Sequence, residues 1–268
     1  MPTFLFWNLN GGGLARGVAH LARQEKADVL ILAECRLAPA ELLWELNADT
    51  PDFQYAHGHC GHLTFYTRFD PYYLRGVTES HRISIRQLAL PGRQTLLIAA
   101  AHLPSKRDWS EESQLFESVH LARLIEDAER WQGHQRTLVI GDLNMNPFES
   151  GMVAASGGLH AVMSRQVAAR ASRKVQKERY RFFYNPLWGH FGDRGGAGGT
   201  YYYESGEPVC YFWNIFDQVL LRPELLEGFA HERLRIVTEV EGISLLKDGC
   251  PDRELASDHL PVAVEIEF

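Results

Sequence analysis

Along the chain, apolar residues gather in short runs, and most of these runs end on a polar side chain. Residues 3–7 form the first, a predicted strand that closes at Asn8. Glycines 11–13 release the chain into a helix, where Leu14, Val18, Leu21 and Ala22 recur at helical spacing. A buried strand is predicted over 28–33, closed by Glu34. Strand, helix and strand within about 30 residues suggest an α/β start. Pro39 suits the first turn of a helix that continues through Leu42, Leu43 and Leu46. Strands follow over 53–57 and 62–67, then a pair over 82–90 and 94–101 turned by Pro91-Gly92. The second of that pair runs into His102-Leu103-Pro104-Ser105. Residues 111–131 read as an amphipathic helix, with Leu115, Val119, Ala122 and Ile125 on one side. The run over 138–140 reads as a buried strand that stops at Gly141, leaving Asp142, Asn144 and Asn146 ahead of Pro147. Alternation along an extended chain would turn Asp142 and Asn144 to the same side. A helix dense in cations is predicted over 164–177, then an irregular aromatic segment over 180–213 with a glycine-rich turn at 195–199. Strands resume at 215–221, 234–240 and 262–267. No internal repeat or linker interrupts this order, so a single domain over 1–268 is expected.

Composition narrows the class. Hydrophobic residues at 45% and charged residues at 23% fit a soluble globular chain. No apolar run approaches the ~20 residues of a membrane helix, and the N-terminus has no basic lead or apolar core of a secretory signal. Four scattered cysteines make no C-x-x-C pair, which favours free thiols in a reducing, cytoplasmic setting. A net charge of -7 argues against coating nucleic acid through bulk charge. It is compatible with an acidic metal site beside one local basic face.

Six polar positions then stand at the edges of apolar runs: Asn8, Glu34, His102, the Asp142/Asn144 pair, Asp217 and the Asp258-His259 pair. Singly, each has an ordinary structural reading. Asp and Asn after a strand are turn formers, and a histidine on an apolar face is commonly a satisfied core residue. Asp217 inside Ile215-Phe216-Asp217-Gln218-Val219 is costly unless paired. An EF-hand reading of the D-x-N-x-N string fails, because Pro147 stands where glycine is needed and Val153 where glutamate is needed. Ser257-Asp258-His259 is no catalytic triad, since neighbours on an extended chain face opposite ways. The tract His57-Gly58-His59-Cys60-Gly61-His62 lacks tetrahedral zinc spacing and feeds a predicted core strand.

Together, Trp7-Asn8-Leu9-Asn10-Gly11, Leu32-Ala33-Glu34, His102-Leu103-Pro104-Ser105, Gly141-Asp142-Leu143-Asn144, Phe216-Asp217-Gln218-Val219 and Ser257-Asp258-His259-Leu260-Pro261 resemble the endonuclease/exonuclease/phosphatase superfamily. This DNase I-like group includes nucleases, sphingomyelinases and inositol polyphosphate 5-phosphatases. The resemblance implies an α/β fold: a four-layered sandwich of two mixed sheets packed face to face with helices outside. It implies Mg²⁺ or Mn²⁺ held by Glu34, with Asn8 and Asp258 close by. His259 would act on the scissile phosphate with Asp217 as its orienting partner. Asp142 would position or deprotonate the attacking water, Asn144 would hydrogen-bond the phosphate, and His102 would act on phosphate or leaving group. Ala33 stands where many members carry glutamine before the metal-binding glutamate. In some members a carboxylate partners the histidine matched by His102; none is aligned here.

The expectation is a metal-dependent phosphoester hydrolase, foremost a nuclease or phosphodiesterase, with nucleic acid as a candidate partner. An inositol-phosphate, phospholipid or small-molecule phosphatase is the alternative within the superfamily. A non-catalytic binding module is the alternative outside enzymes. Arg170, Arg173 and Lys174, on the predicted cationic helix, are candidate contacts to a polyanionic substrate.

Overall fold

The computed structural model describes residues 1–106, 109–192 and 196–268. Gly195, the first residue of the expected glycine-rich turn, lies outside them. The chain opens with β1 (Thr3–Asn8), α1 (Ala15–Gln24), β2 (Val29–Ala33), α2 (Pro39–Leu46), β3 (Gln54–Tyr55) and β4 (Leu63–Thr67). The second sheet begins with β5 (Leu74–Glu79), β6 (Ile83–Leu88) and β7 (Leu96–His102), before the long α3 (Glu111–Gln132) and β8 (Thr137–Asp142). Next come α4 (Ser150–Val153), β9 (Ala161–Val162), α5 (Arg165–Ala168), β10 (Ser172–Val175), β11 (Glu178–Arg181) and β12 (Phe183–Tyr184). The last third holds β13 (Tyr201–Tyr203), β14 (Phe212–Asn214), β15 (Asp217–Leu221) and β16 (Leu234–Ile236). Two small hairpins follow, β17 (Glu239–Val240) with β18 (Ile243–Ser244) and β19 (Leu246–Lys247) with β20 (Cys250–Pro251), and β21 (Val262–Glu265) ends the set.

Two mixed sheets result, one in the order β16-β21-β1-β2-β4-β3 and one in the order β5-β6-β7-β8-β15-β12-β9. Each central strand is apolar on both faces, as a strand covered on both sides must be. Phe4, Phe6, Val29 and Ile31 of the first sheet meet Ile98, Leu138, Ile140 and Val219 of the second in one core. The opposite face of the first sheet packs Leu5, Leu30 and Leu32 on α1 and α2 through Val18, Leu21 and Leu42. The outer face of the second sheet packs Leu97, Val139 and Leu220 on α3 through Leu121 and Ile125. Helix, sheet, sheet, helix is the expected four-layered sandwich.

Three expectations are corrected. The aromatic segment over 180–213, expected to be irregular, carries β12, β13 and β14, with β12 in the second sheet. The strand at 138–140 extends through Gly141 to Asp142, because β7 runs beside it so closely that a Cβ on Gly141 would lie 2.0 Å from the Ala101 carbonyl oxygen. The cationic helix is absent beyond Ala168: residues 172–181 form the β10–β11 hairpin. Its two-residue loop, Gln176 and Lys177, has φ of 49° and 75°, the left-handed pair of a tight hairpin turn. Arginine and lysine suit either structure, so local turn geometry decided against the helix.

Candidate active site

The carboxyl ends of β1, β2, β7 and β8 deliver Asn8, the Glu34 that follows β2, His102 and Asp142 to one end of the sandwich. β15 starts there with Asp217, opposite Asp142 in the ladder, and His102 stands opposite Asp142 on the other side. His259 arrives just before β21, tied down by Trp7, whose Nε1 donates to the His259 carbonyl at 2.8 Å. Ser257 Oγ donates to the Asn8 carbonyl at 2.7 Å and accepts from His259 N at 3.2 Å. The site therefore straddles both sheets.

His259 Nδ1 and Asp217 Oδ2 are 2.8 Å apart, and both residues are buried. His259 Nε2 stands 3.9 Å from Asp142 Oδ2. Burial opposes a charged His259, but the carboxylates of Asp217 and then Asp142 override it and hold its pKa up at about 10. Burial pushes Asp217 up, against the attraction of His259. We assign the pair's proton to the histidine, because Asp142 beside Nε2 adds to the attraction for a cation there.

Asn8 Nδ2 donates to Asp142 Oδ2 at 2.9 Å and to Glu34 Oε1 at 3.5 Å, while its oxygen accepts from Asn10 N. The amide thus knits the two carboxylates together. Glu34 is drawn well down, to about 2, chiefly by its hydrogen bond to His102, against the opposing effect of burial. It is ionised at any ordinary pH. His102 Nε2 lies 3.3 Å from Glu34 Oε1 and 3.7 Å from Asp142 Oδ2.

Asn144 is buried in the site, but not by simple alternation. Its φ of 51° turns the chain out of the extended form, and its N–H donates to Asp142 Oδ1 at 2.9 Å. Its Nδ2 spends one hydrogen on Leu103 O at 2.8 Å, leaving the other free to donate. Glu34 also has positive φ, 48°. Such strained non-glycine residues persist only where the surroundings over-determine them.

A divalent ion fits these residues. Asp258 Oδ1 is buried with no hydrogen-bond partner among the described residues, Glu34 is ionised, and a hard cation takes oxygen donors. Three potential ligand atoms, from Asp142, Asp217 and His259, lie within 4.8 Å of one another. Asp217 Oδ2 already pairs with His259 Nδ1, so we read that cluster as a hydrogen-bonded dyad facing Asp142.

Arg170, Arg173 and Lys174 are not brought here. β15 runs from Asp217 in the site to Leu221, which pairs with Tyr184. Arg222, next along, reaches Phe182 O and Glu129, and Arg181 of the hairpin also reaches Glu129. The hairpin sits at the far end of the strand, roughly 17 Å of extended chain away.

Sequence reasoning missed several supports. Gln114, on the buried face of α3, donates to Pro104 O at 2.8 Å and Asn144 O at 3.0 Å. Thr200 Oγ1 accepts from the N–H groups of Phe216 and Asp217. Tyr201 stacks on Phe216 and lies 4.7 Å from the His259 ring. His62 lies 3.3 Å from His102, nitrogen to nitrogen. Only the last carried a signal, as part of the histidine-rich tract.

The sequence profile of the Endonuclease/Exonuclease/phosphatase family matches residues 5–259. Comparison with curated proteins finds no match. Among solved structures, humanized D. rerio TDP2 is 17% identical, covering 100% of this chain and 99% of its own, with a TM-score of 0.56. D. rerio TDP2 complexed with single strand DNA product is 16% identical over the same coverage, also at 0.56. An AP endonuclease from Archaeoglobus fulgidus is 15% identical, covering all of both chains, at 0.55. At these identities the structures establish the shared fold, while the family profile spans nearly the whole chain. This chain belongs to the endonuclease/exonuclease/phosphatase family.

Proposed function

We propose that this chain is a divalent-metal-dependent phosphodiesterase with nucleic acid as its substrate class. The observation that carries the reading is the grouping of the His259–Asp217 dyad, Asp142 and ionised Glu34 at one strand-end cleft. That the similar structures include a TDP2 with a single strand DNA product and an AP endonuclease puts nucleic acid first.

Glu34 and Asp258 would hold the ion, which when bound offsets charge on the phosphate and the departing oxygen. His259, protonated and fixed by Asp217, donates its Nε2 hydrogen to a non-bridging phosphate oxygen. Asp142 accepts a hydrogen bond from the attacking water and takes its proton. Asn144 donates its free amide hydrogen to the phosphate. His102 Nε2, between Glu34 and Asp142, donates on the leaving-group side. Water attacks in line, with no covalent enzyme intermediate.

A second reading, a phosphatase of compact polyphosphorylated alcohols, is favoured by one feature. A hollow of about 350 Å³ beside Glu34 and His102 is lined by Arg36, Arg82, His62, Thr64 and Ser105. Two guanidinium groups there suit a second anionic group on the substrate.

The test is hydrolysis with Mg²⁺ or Mn²⁺ of single- and double-stranded DNA, RNA, abasic DNA and inositol phosphates. Activity should vanish with EDTA and fall by about 10²–10⁴ in Asp142→Ala, the usual span for a lost acid–base group. Turnover of inositol phosphates alone would select the second reading. Full activity in Asp142→Ala would sink the assignment of roles.

A further inference from the structure

His62 lies just ahead of β4 in the first sheet, and His102 ends β7 in the second. Their Nδ1 atoms approach to 3.3 Å across the cleft, with ring centroids 5.2 Å apart. A second ring, His81, packs edge-on against His62 with centroids 4.4 Å apart. His62 thus contacts two imidazoles, and it lines the hollow beside Glu34.

The donors and acceptors around His102 leave little freedom. Its Nε2 faces the oxygens of Glu34 and Asp142, both of which only accept when ionised. Nε2 must therefore carry a hydrogen. In neutral His102 the other nitrogen, Nδ1, is then an acceptor, and it needs a donor. Arg82 meets the backbone of this residue, its Nη1 donating to the His102 carbonyl at 3.3 Å. Glu79 on β5 is an acceptor and is bound to other groups. It accepts from Ser84 Oγ at 2.7 Å and Arg86 Nη2 at 2.9 Å, as well as from His59 N. The group that faces His102 Nδ1 is His62 Nδ1.

We propose that His62 is a positioning residue for His102: its Nδ1–H, donated to His102 Nδ1, fixes the His102 ring and places that ring's hydrogen on Nε2. The inference rests on the reading that His102 acts on the substrate, and it adds the residue that sets the tautomer. A carboxylate in this place could only accept, and would hold a hydrogen on His102 Nδ1. Burial, then the charge of Arg82, pushes His62 down to about 4, so it faces His102 as a neutral ring able to donate. The second ring nitrogen decides which nitrogen of a histidine presents its proton, and loss of such a partner costs about 10–100-fold in activity.

The test combines a readout that needs no turnover with one that does. Long-range ¹⁵N–¹H spectra of the full chain should show His102 with hydrogen on Nε2 and a bare Nδ1. In His62→Asp the hydrogen should move onto Nδ1. In kinetics with the active phosphodiester, His62→Ala should lower kcat by about 10–100-fold with KM within about twofold. His62→Asn, whose amide can donate from the same place, should restore most of the rate. In a His102→Ala background, His62→Ala should cost nothing more. The proposal is overturned if wild-type His102 carries hydrogen on Nδ1, if His62→Asn is as slow as His62→Ala, or if the two defects multiply. Should the wild-type chain hydrolyse none of the phosphoesters, the phosphodiesterase reading fails, while the spectra still decide the role of His62.

Discussion

At the residue scale, the proton on His259 is the property that most limits the chemistry. Its pKa, held up at about 10 against burial by Asp217 and Asp142, makes it a donor at neutral pH, so in the proposed mechanism the base role falls to Asp142. The same shift ties folding to pH. A histidine titrates near 6.5 in an unfolded chain. The stabilisation from charging it in the fold is therefore complete below pH 6.5, and is lost as pH rises towards 10. The urea midpoint of the wild-type chain should fall across that window. In Asp217→Asn, which removes the stronger attraction and so lowers the folded pKa, the fall should be smaller and end at lower pH, and phosphodiester turnover should lose its alkaline plateau. Identical pH profiles for the two proteins would disprove the charged dyad. His259, Asp217 and Asp142 were legible in the sequence because each breaks or ends an apolar run, where an uncompensated polar group is expensive. Gln114 was not legible. A glutamine on an amphipathic helix reads as solvated, and its partners, the carbonyls of Pro104 and Asn144, are loop positions brought to it only by packing.

At the element scale, hydrophobic periodicity located the central strands and the long helices within a few residues, since each buries a face against a neighbouring layer, but it missed β5, β9 and β12 at the edges of the second sheet. It failed over 172–181, where ten mostly exposed residues bury little and no apolar stripe exists to be read. What sets that segment is its turn. Gln176 and Lys177 adopt the left-handed conformation without being glycine or asparagine, at a cost of about 1 kcal/mol each. Across the ladder Lys174 faces Arg179, a like-charge pair that further weakens it. Replacing Gln176 with Asn and Lys177 with Gly should therefore raise stability by about 1 kcal/mol, read as a higher urea midpoint. Turnover should be unchanged, because the hairpin is anchored through Arg181 at Glu129, at the end of β8 away from Asp142. A loss of stability would mean that the hairpin is held by something other than its turn. A change in KM would bring the basic strands back into the substrate path.

At the scale of the whole molecule, the two sheets contribute opposite halves of one charged cleft. Glu34 and Asp258 come with the first sheet, Asp142 and Asp217 with the second, and the contacts that cross between them include Asn8 to Asp142, His102 to Glu34, His62 to His102 and His259 to Asp217. Carboxylates gathered at a seam repel, and the buried Asp258 oxygen has no hydrogen-bond partner among the described residues. A fold with this arrangement should be completed by a cation that binds the native cleft and not the open chain. Linkage then sets the size of the effect: at a hundredfold excess over Kd, a ligand specific to the native state adds about 3 kcal/mol. Mg²⁺ or Mn²⁺ should raise the melting temperature in proportion to the logarithm of its concentration, and EDTA should reverse the rise. Glu34→Gln should abolish this response, because an amide oxygen replaces the ionised ligand while the neighbouring residues keep their volume. Asp217→Asn, which alters the dyad and leaves Glu34 and Asp258 in place, should keep it. A metal-induced rise that survives Glu34→Gln but disappears in Asp217→Asn would place the ion at the Asp142–Asp217–His259 cluster instead, and the roles assigned to the two arms of the cleft would have to be exchanged.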